Sequence, residues 1–138
     1  MKKFTAILLF LIPTVLFAET DMQKSTLYVI VDGIPSIEGQ IKILLTREGE
    51  DSAFRKETAP VKSNTWTWTQ NDVPYGRYSI KVYHDRNGNG ELDKNVWGIP
   101  SEAYGFSNNA RSMTGPPNTK DTLFQVAEPE LTLKITLH

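Results

Sequence analysis

Asp85, Asn87, Asn89, Glu91 and Asp93 fall at alternate positions of one short stretch, and no other part of the chain carries so clear a chemical pattern. Aspartate and asparagine end in hard oxygen donors. Gly88 and Gly90 between them let the backbone turn through positive φ. A loop built this way wraps a hard cation, with side-chain oxygens converging and one backbone carbonyl, here that of Glu91, pointing inward. The run Asp-x-Asn-x-Asn-Gly-x-Leu-Asp matches the first nine positions of the EF-hand type of calcium loop, from Asp85 at position 1 to Asp93 at position 9. Position 12 is Val96, where that loop carries a bidentate glutamate, and a strand precedes the loop instead of a helix. Glu102 and Asp72 are two candidates for the missing carboxylate. With two firm carboxylates the expected site is of the weak extracellular kind, with a Kd of about 10⁻⁴ to 10⁻³ M. A metal-free polar loop is the competing reading, because Asn-Gly pairs signal hairpin turns by themselves. That reading leaves the placement of Asp85 and Asp93 as coincidence. A transition-metal site is not expected, since the chain has no cysteine and its histidines are His84 and His138.

A catalytic set is not expected either. His84 and Asp85 are adjacent, and neighbours on a strand point to opposite faces. Ser101 and Ser107 lie in a glycine-rich stretch without nucleophile-elbow spacing, and no serine, histidine and acid form a recognisable arrangement. The aromatics allow two readings. Trp97, Tyr104 and Phe106 can grip a peptide or stack on a sugar ring, or Trp97 and Phe106 can pin the long loop to the mouth of the domain; Trp66 and Trp68 share one face of a strand and are expected inside.

Short alternating segments must position these residues. Thr26–Val31, Gln40–Thr46, Thr65–Thr69, Arg77–His84, Asp121–Val126 and Leu131–Leu137 read as strands, and residues 54–61 as an edge strand at best because of Pro60. Leu44-Leu45 breaks the alternation of its strand and suggests burial or a bulge. Leu131, Leu133, Ile135 and Leu137 are expected to line the core. Residues 85–118 show no period, and a loop that long within a compact domain is functional or ordered by something bound. The expectation is an all-β fold, a single antiparallel β-sandwich of immunoglobulin-like or prealbumin-like type with about seven strands.

Lys2 and Lys3, an apolar run to Phe17 and the small Ala18 form the pattern of a signal peptide over residues 1–18, which leaves 19–138 as the folded domain. The apolar run holds Pro13 and is shorter than the roughly 20 residues of a membrane span. Without Lys2 and Lys3, 13 basic residues face 16 acidic ones, a net charge of −3 with no basic cluster, so nucleic acid is a poor partner. Periplasmic or secreted location follows as an expectation, with no stable membrane span after cleavage.

The run His84–Asp93, then Gly98-Ile-Pro-Ser-Glu102 and Tyr104-Gly-Phe-Ser-Asn-Asn109, with the turn Val73-Pro-Tyr-Gly-Arg-Tyr78 ahead of it, resembles the exported bacterial proteins grouped as Domain of Unknown Function 2141. The resemblance implies a small exported β-sandwich and no particular activity. The Pro-x-Gly-x-Tyr turn is also similar to that of prealbumin-like and Cna-B-like surface modules. The expectation is a non-catalytic module whose loop is ordered by calcium, acting in binding or structure at the cell envelope on a protein or glycan. The alternative is a metal-independent carbohydrate- or peptide-binding module that uses Trp97, Tyr104 and Phe106.

Overall fold

The computed structural model describes residues 22–138; the expected signal peptide, residues 1–18, and the first residues after it lie outside them. Eight strands form two packed sheets: β1 (Lys24–Asp32), β2 (Gln40–Arg47), β3 (Ala53–Pro60), β4 (Trp66–Pro74), β5 (Gly76–Asp85), β6 (Tyr104–Phe106), β7 (Phe124–Val126) and β8 (Glu130–Thr136). One sheet has the order β4-β1-β8; the other runs β3-β2-β5-β6, with β7 also paired to β5. The all-β sandwich is therefore present. One ladder is parallel: β8 lies beside β1 from Thr26↔Glu130 to Asp32↔Thr136, because the chain reaches it by crossing from the other sheet through Pro129.

Strict alternation explains the core. Leu27, Val29 and Val31 of β1 face Ile41, Ile43 and Leu45 of β2, with Tyr78, Ile80 and Val82 of β5 beside them. Trp68 is buried and Trp66 packs partly against the same core, as their shared face requires. On β8, Ile135 is buried, Leu137 just past its end is too, and Leu131 and Leu133 pack at the margin. The Leu44-Leu45 irregularity coincides with a shift of register against β3 between Leu45 and Thr46. β3 is an edge strand that stops at Pro60, whose missing N–H suits a strand end.

Between β4 and β5 the chain changes sheets with Tyr75 alone in between. Asp72 takes φ 56° there, and the Tyr78 hydroxyl donates back to the Pro74 carbonyl at 2.8 Å, a tyrosine corner. That bond and the turn give physical meaning to the Val73–Tyr78 signature.

Two details depart from the sequence reading. Tyr104-Gly-Phe106 is a strand inside the stretch read as aperiodic, and residues 119–122 form one helical turn where a strand was expected to begin. Gly105 makes β6 possible: a Cβ there would lie 2.9 Å from the Thr136 carbonyl oxygen and from the Ile135 side chain. Among the described residues no helix is long and apolar enough to cross a membrane.

Candidate functional site

The last outward-facing residues of β5 begin the site. Tyr83 pairs with Lys42 of β2 and Tyr104 of β6, and Lys81 pairs with Leu44 and Phe106, so these side chains share the outer face of the sheet. Asp85 continues that face at the end of the strand. His84 points the other way, its ring nitrogen Nε2 within 2.6 Å of the Glu38 carbonyl, so the two adjacent residues serve different surroundings.

The loop after Asp85 folds back over the sheet and buries Tyr83, whose hydroxyl donates to the Gly90 carbonyl at 3.0 Å. Burial, and then the negative charges of Asp85, Glu102 and Glu91, push the Tyr83 phenol above its ordinary value. Asp85 is fully buried at the loop's base. Its Oδ2 accepts the Gly90 N–H at 2.8 Å and lies 3.6 Å from the Lys42 ammonium; its Oδ1 is buried with no hydrogen-bond partner. Lys42 also donates to the Gly90 carbonyl at 3.1 Å. Asn87 Oδ1 accepts from the Asn89 N–H and Asn89 Oδ1 from the Glu91 N–H, at 3.0 and 2.9 Å, two successive Asx turns. Both asparagine amides donate to the Asp93 carboxylate. Gly88 and Gly90 take φ of 74° and 91°, as a turn this tight requires.

Glu102 is drawn to this loop, and Asp72 is not. The two oxygens of Glu102 accept the Arg86 N–H at 2.8 Å and the Asp93 N–H at 3.0 Å, clamping both ends of the loop. Asp72 sits beyond the opposite end of β5, paired with Lys24, and a ten-residue strand puts roughly 30 Å between the two ends. Among the described residues no three His, Cys, Asp or Glu side chains are grouped so as to hold a metal. What the loop offers is two carboxylates, two amide oxygens with a lone pair each to spare, and backbone carbonyls.

Beyond Asp93 the chain makes a small hairpin, bridged Lys94↔Pro100. Asn95 shapes its tip: its Oδ1 accepts the N–H groups of Trp97 and Ile99 at 2.9 and 3.1 Å. Trp97 is thereby held 82% exposed. The hairpin, residues 112–116 and the outer face of β5 and β6 enclose a cleft of about 560 Å³, and Trp97, Tyr104 and Phe106 all line it. Lys81 and Lys94 line it too, and neither joins an ion pair among the described residues. Burial, and then Lys94, lower the Lys81 ammonium below its ordinary value.

Ser107 and the asparagines after it have a different task. The Ser107 hydroxyl accepts the Ile80 N–H at 2.9 Å and donates to the Thr122 carbonyl, filling the gap between β6 and β7 along β5. Asn109 meets β8 as a peptide unit would, with its amide to the Lys134 carbonyl and its oxygen on the Thr136 N–H.

A family model described as an uncharacterized protein conserved in bacteria, DUF2141, matches residues 29–134. The chain belongs to the DUF2141 family. The matched span of this DUF2141 domain takes in the loop, the hairpin, the cleft and the Ser107–Asn109 splice. No curated protein and no solved structure matches the chain. Lys42, Lys81, Lys94 and Asn95 were not singled out by motif. Lys42 is 48 residues from Gly90 in sequence, and only the β2–β5 register brings it to the loop.

Proposed function

We propose that this DUF2141 domain is an exported, non-catalytic module whose 85–93 loop binds calcium and, once ordered, presents the Trp97 hairpin and its cleft to a partner at the cell envelope. The observation that carries the reading is the buried, unpartnered Oδ1 of Asp85. A buried carboxylate oxygen without a donor costs stability unless a cation or a hydrogen bond meets it. Around it lie the internal bonds of a calcium loop: the Gly90 N–H returned to the first aspartate, two Asx turns, and a glycine at the sharp bend. Asp85, Asn87, Asn89, the Glu91 carbonyl and Asp93 supply the oxygens. Glu102, occupied with backbone N–H groups, fixes the loop's ends and adds negative charge.

Calcium would neutralise the clustered carboxylates and hold the start of the hairpin, since the Ser101 N–H is bonded to the Asp93 carbonyl at 2.8 Å. The ion thus acts on Trp97 through a short covalent and hydrogen-bonded path. The test is a thermal melt of the purified protein in millimolar calcium and in EGTA, repeated on an Asp85→Ala, Asp93→Ala double variant. A calcium-dependent rise that the double variant lacks supports the site. Equal melting temperatures in calcium and EGTA for the wild type remove it.

A further inference from the structure

We infer that the cleft beneath the Trp97 hairpin docks an acidic, partly apolar peptide segment of another protein. This deepens the reading above and rests on its presentation of the hairpin; it names the class of partner. Charge comes first. The cleft is lined by Lys81 and Lys94 and by no aspartate, glutamate, asparagine or glutamine. Arg111 lines the adjoining crevice, which shares Tyr104, Phe106 and Ser112 with the cleft. Two ammonium groups outside any ion pair among the described residues, beside a guanidinium, are complementary to carboxylates.

Apolar contact comes second. Trp97 and Met113 are 82% and 102% exposed where they line the cleft, and Ile99 joins them. The Asn95 side chain holds Trp97 and Ile99 open through their N–H groups, and large apolar groups presented this way are typical of an interaction surface. Chemistry then separates a peptide from a sugar. A glycan presents many hydroxyl donors and needs side-chain acceptors, and this lining has none beyond the Tyr104 and Ser112 hydroxyls. A peptide needs apolar contact for its side chains and cations for its acids, and the cleft supplies both. Its volume of about 560 Å³ suits a few side chains rather than a folded surface.

The experiment is selection from a random dodecamer phage library on the immobilised protein in millimolar calcium, followed by fluorescence anisotropy with the enriched peptides. Enriched sequences should place aspartate or glutamate beside aromatic or large aliphatic residues. Their affinity should fall at least tenfold for a Lys81→Glu, Lys94→Glu variant and for Trp97→Ala, and stay unchanged for Lys24→Glu on the other sheet. Lys94→Glu alone changes an exposed residue, so it repeats the test without disturbing the fold. No enrichment, enriched peptides without acids, or binding indifferent to the lysine variants overturns the assignment. Tighter binding of an oligogalacturonate than of any selected peptide also overturns it, as does self-association blocked by the same variants. The calcium reading fails separately: peptide binding that persists unchanged in EGTA, with no calcium shift in the melt, removes the metal and leaves the cleft.

Discussion

Replacing Asp85 by asparagine separates a calcium ligand from a structural carboxylate, because only the first role makes the effect of the substitution depend on the ion. Asparagine keeps one oxygen for the Gly90 N–H, now accepted at 2.8 Å. It exchanges the unpartnered Oδ1 for a neutral amide and removes a fully buried charge. An unsatisfied buried acceptor costs about 1–3 kcal/mol, and more when charged. Against that gain, the amide group is itself unpartnered, and Lys42 loses its carboxylate at 3.6 Å while keeping the Gly90 carbonyl at 3.1 Å. These terms nearly cancel, so in EGTA the variant should lie within about 1 kcal/mol of the wild type. With calcium at ten times Kd the wild type alone gains about 1.4 kcal/mol, which for a domain of this size raises the melting temperature by about 5 °C. Differential scanning fluorimetry in EGTA, in 10 mM calcium and in 10 mM magnesium measures the gap. The gap between wild type and Asp85→Asn should widen by about 5 °C when calcium replaces EGTA. A constant gap, or a loss above about 3 kcal/mol already in EGTA, would show that Asp85 serves Gly90 and Lys42 alone.

Lys42→Met removes a cation beside the loop; a monovalent and a divalent cation about 6 Å apart in water repel by about 1.4 kcal/mol, so calcium affinity by isothermal titration should rise about tenfold. Gly39 has φ 69°, and a Cβ there would lie 2.3 Å from the Asp85 carbonyl oxygen, so Gly39→Ala should cost about 2–5 kcal/mol in urea unfolding and abolish the calcium response. A fully stable Gly39→Ala protein would mean the loop entry has room for a Cβ. Lys134 donates to Asp32 at 2.7 Å, and its hydrogen bond is the main cause holding that carboxyl below the ordinary 3.8. A depressed carboxyl adds stability above the unfolded value and loses it as pH falls through the folded one. Lys134→Met should therefore cost under about 1 kcal/mol at pH 6, because the lysine is largely exposed, and the penalty should fade as pH drops below about 4. An equal penalty at pH 6 and pH 2.5 would assign it to lost packing.

The strands were legible because one face of each is buried and the other is not: Ile41, Ile43 and Leu45 against Lys42, or Trp66 and Trp68 against the threonines, leave little doubt about period or face. β6 was hidden because three residues cannot display a period, and its middle residue is glycine. The mark it does leave is chemical. Gly105 is needed where β6 passes the backbone of Thr136, and the Ser107 hydroxyl gives the Ile80 N–H of β5 the acceptor that a fourth strand residue would have given, while donating to the Thr122 carbonyl beyond it. A polar side chain standing in for a strand looks like loop composition in a sequence, and its partners are known only once the sheets are folded.

The same logic divides the candidate site. Asp85 to Asp93 are consecutive, so turn chemistry and ligand spacing could be read along the chain. The cations could not, because Lys42, Lys81 and Lys94 reach the site from β2, β5 and the hairpin, and only strand register joins them. Their two placements act in opposite directions on anything bound there. Lys42 leans on the loop and competes with a metal for Asp85, whereas Lys81 and Lys94 line the cleft. Without an ion, the carboxylates of Asp85, Glu91, Asp93 and Glu102 offset those lysines for an approaching acid. A bound divalent cation would cancel two of the four charges and leave the cleft lysines dominant for an approaching acid. Calcium should therefore tighten peptide binding most at low salt, and the effect should vanish near 1 M, where screening hides both sets of charges.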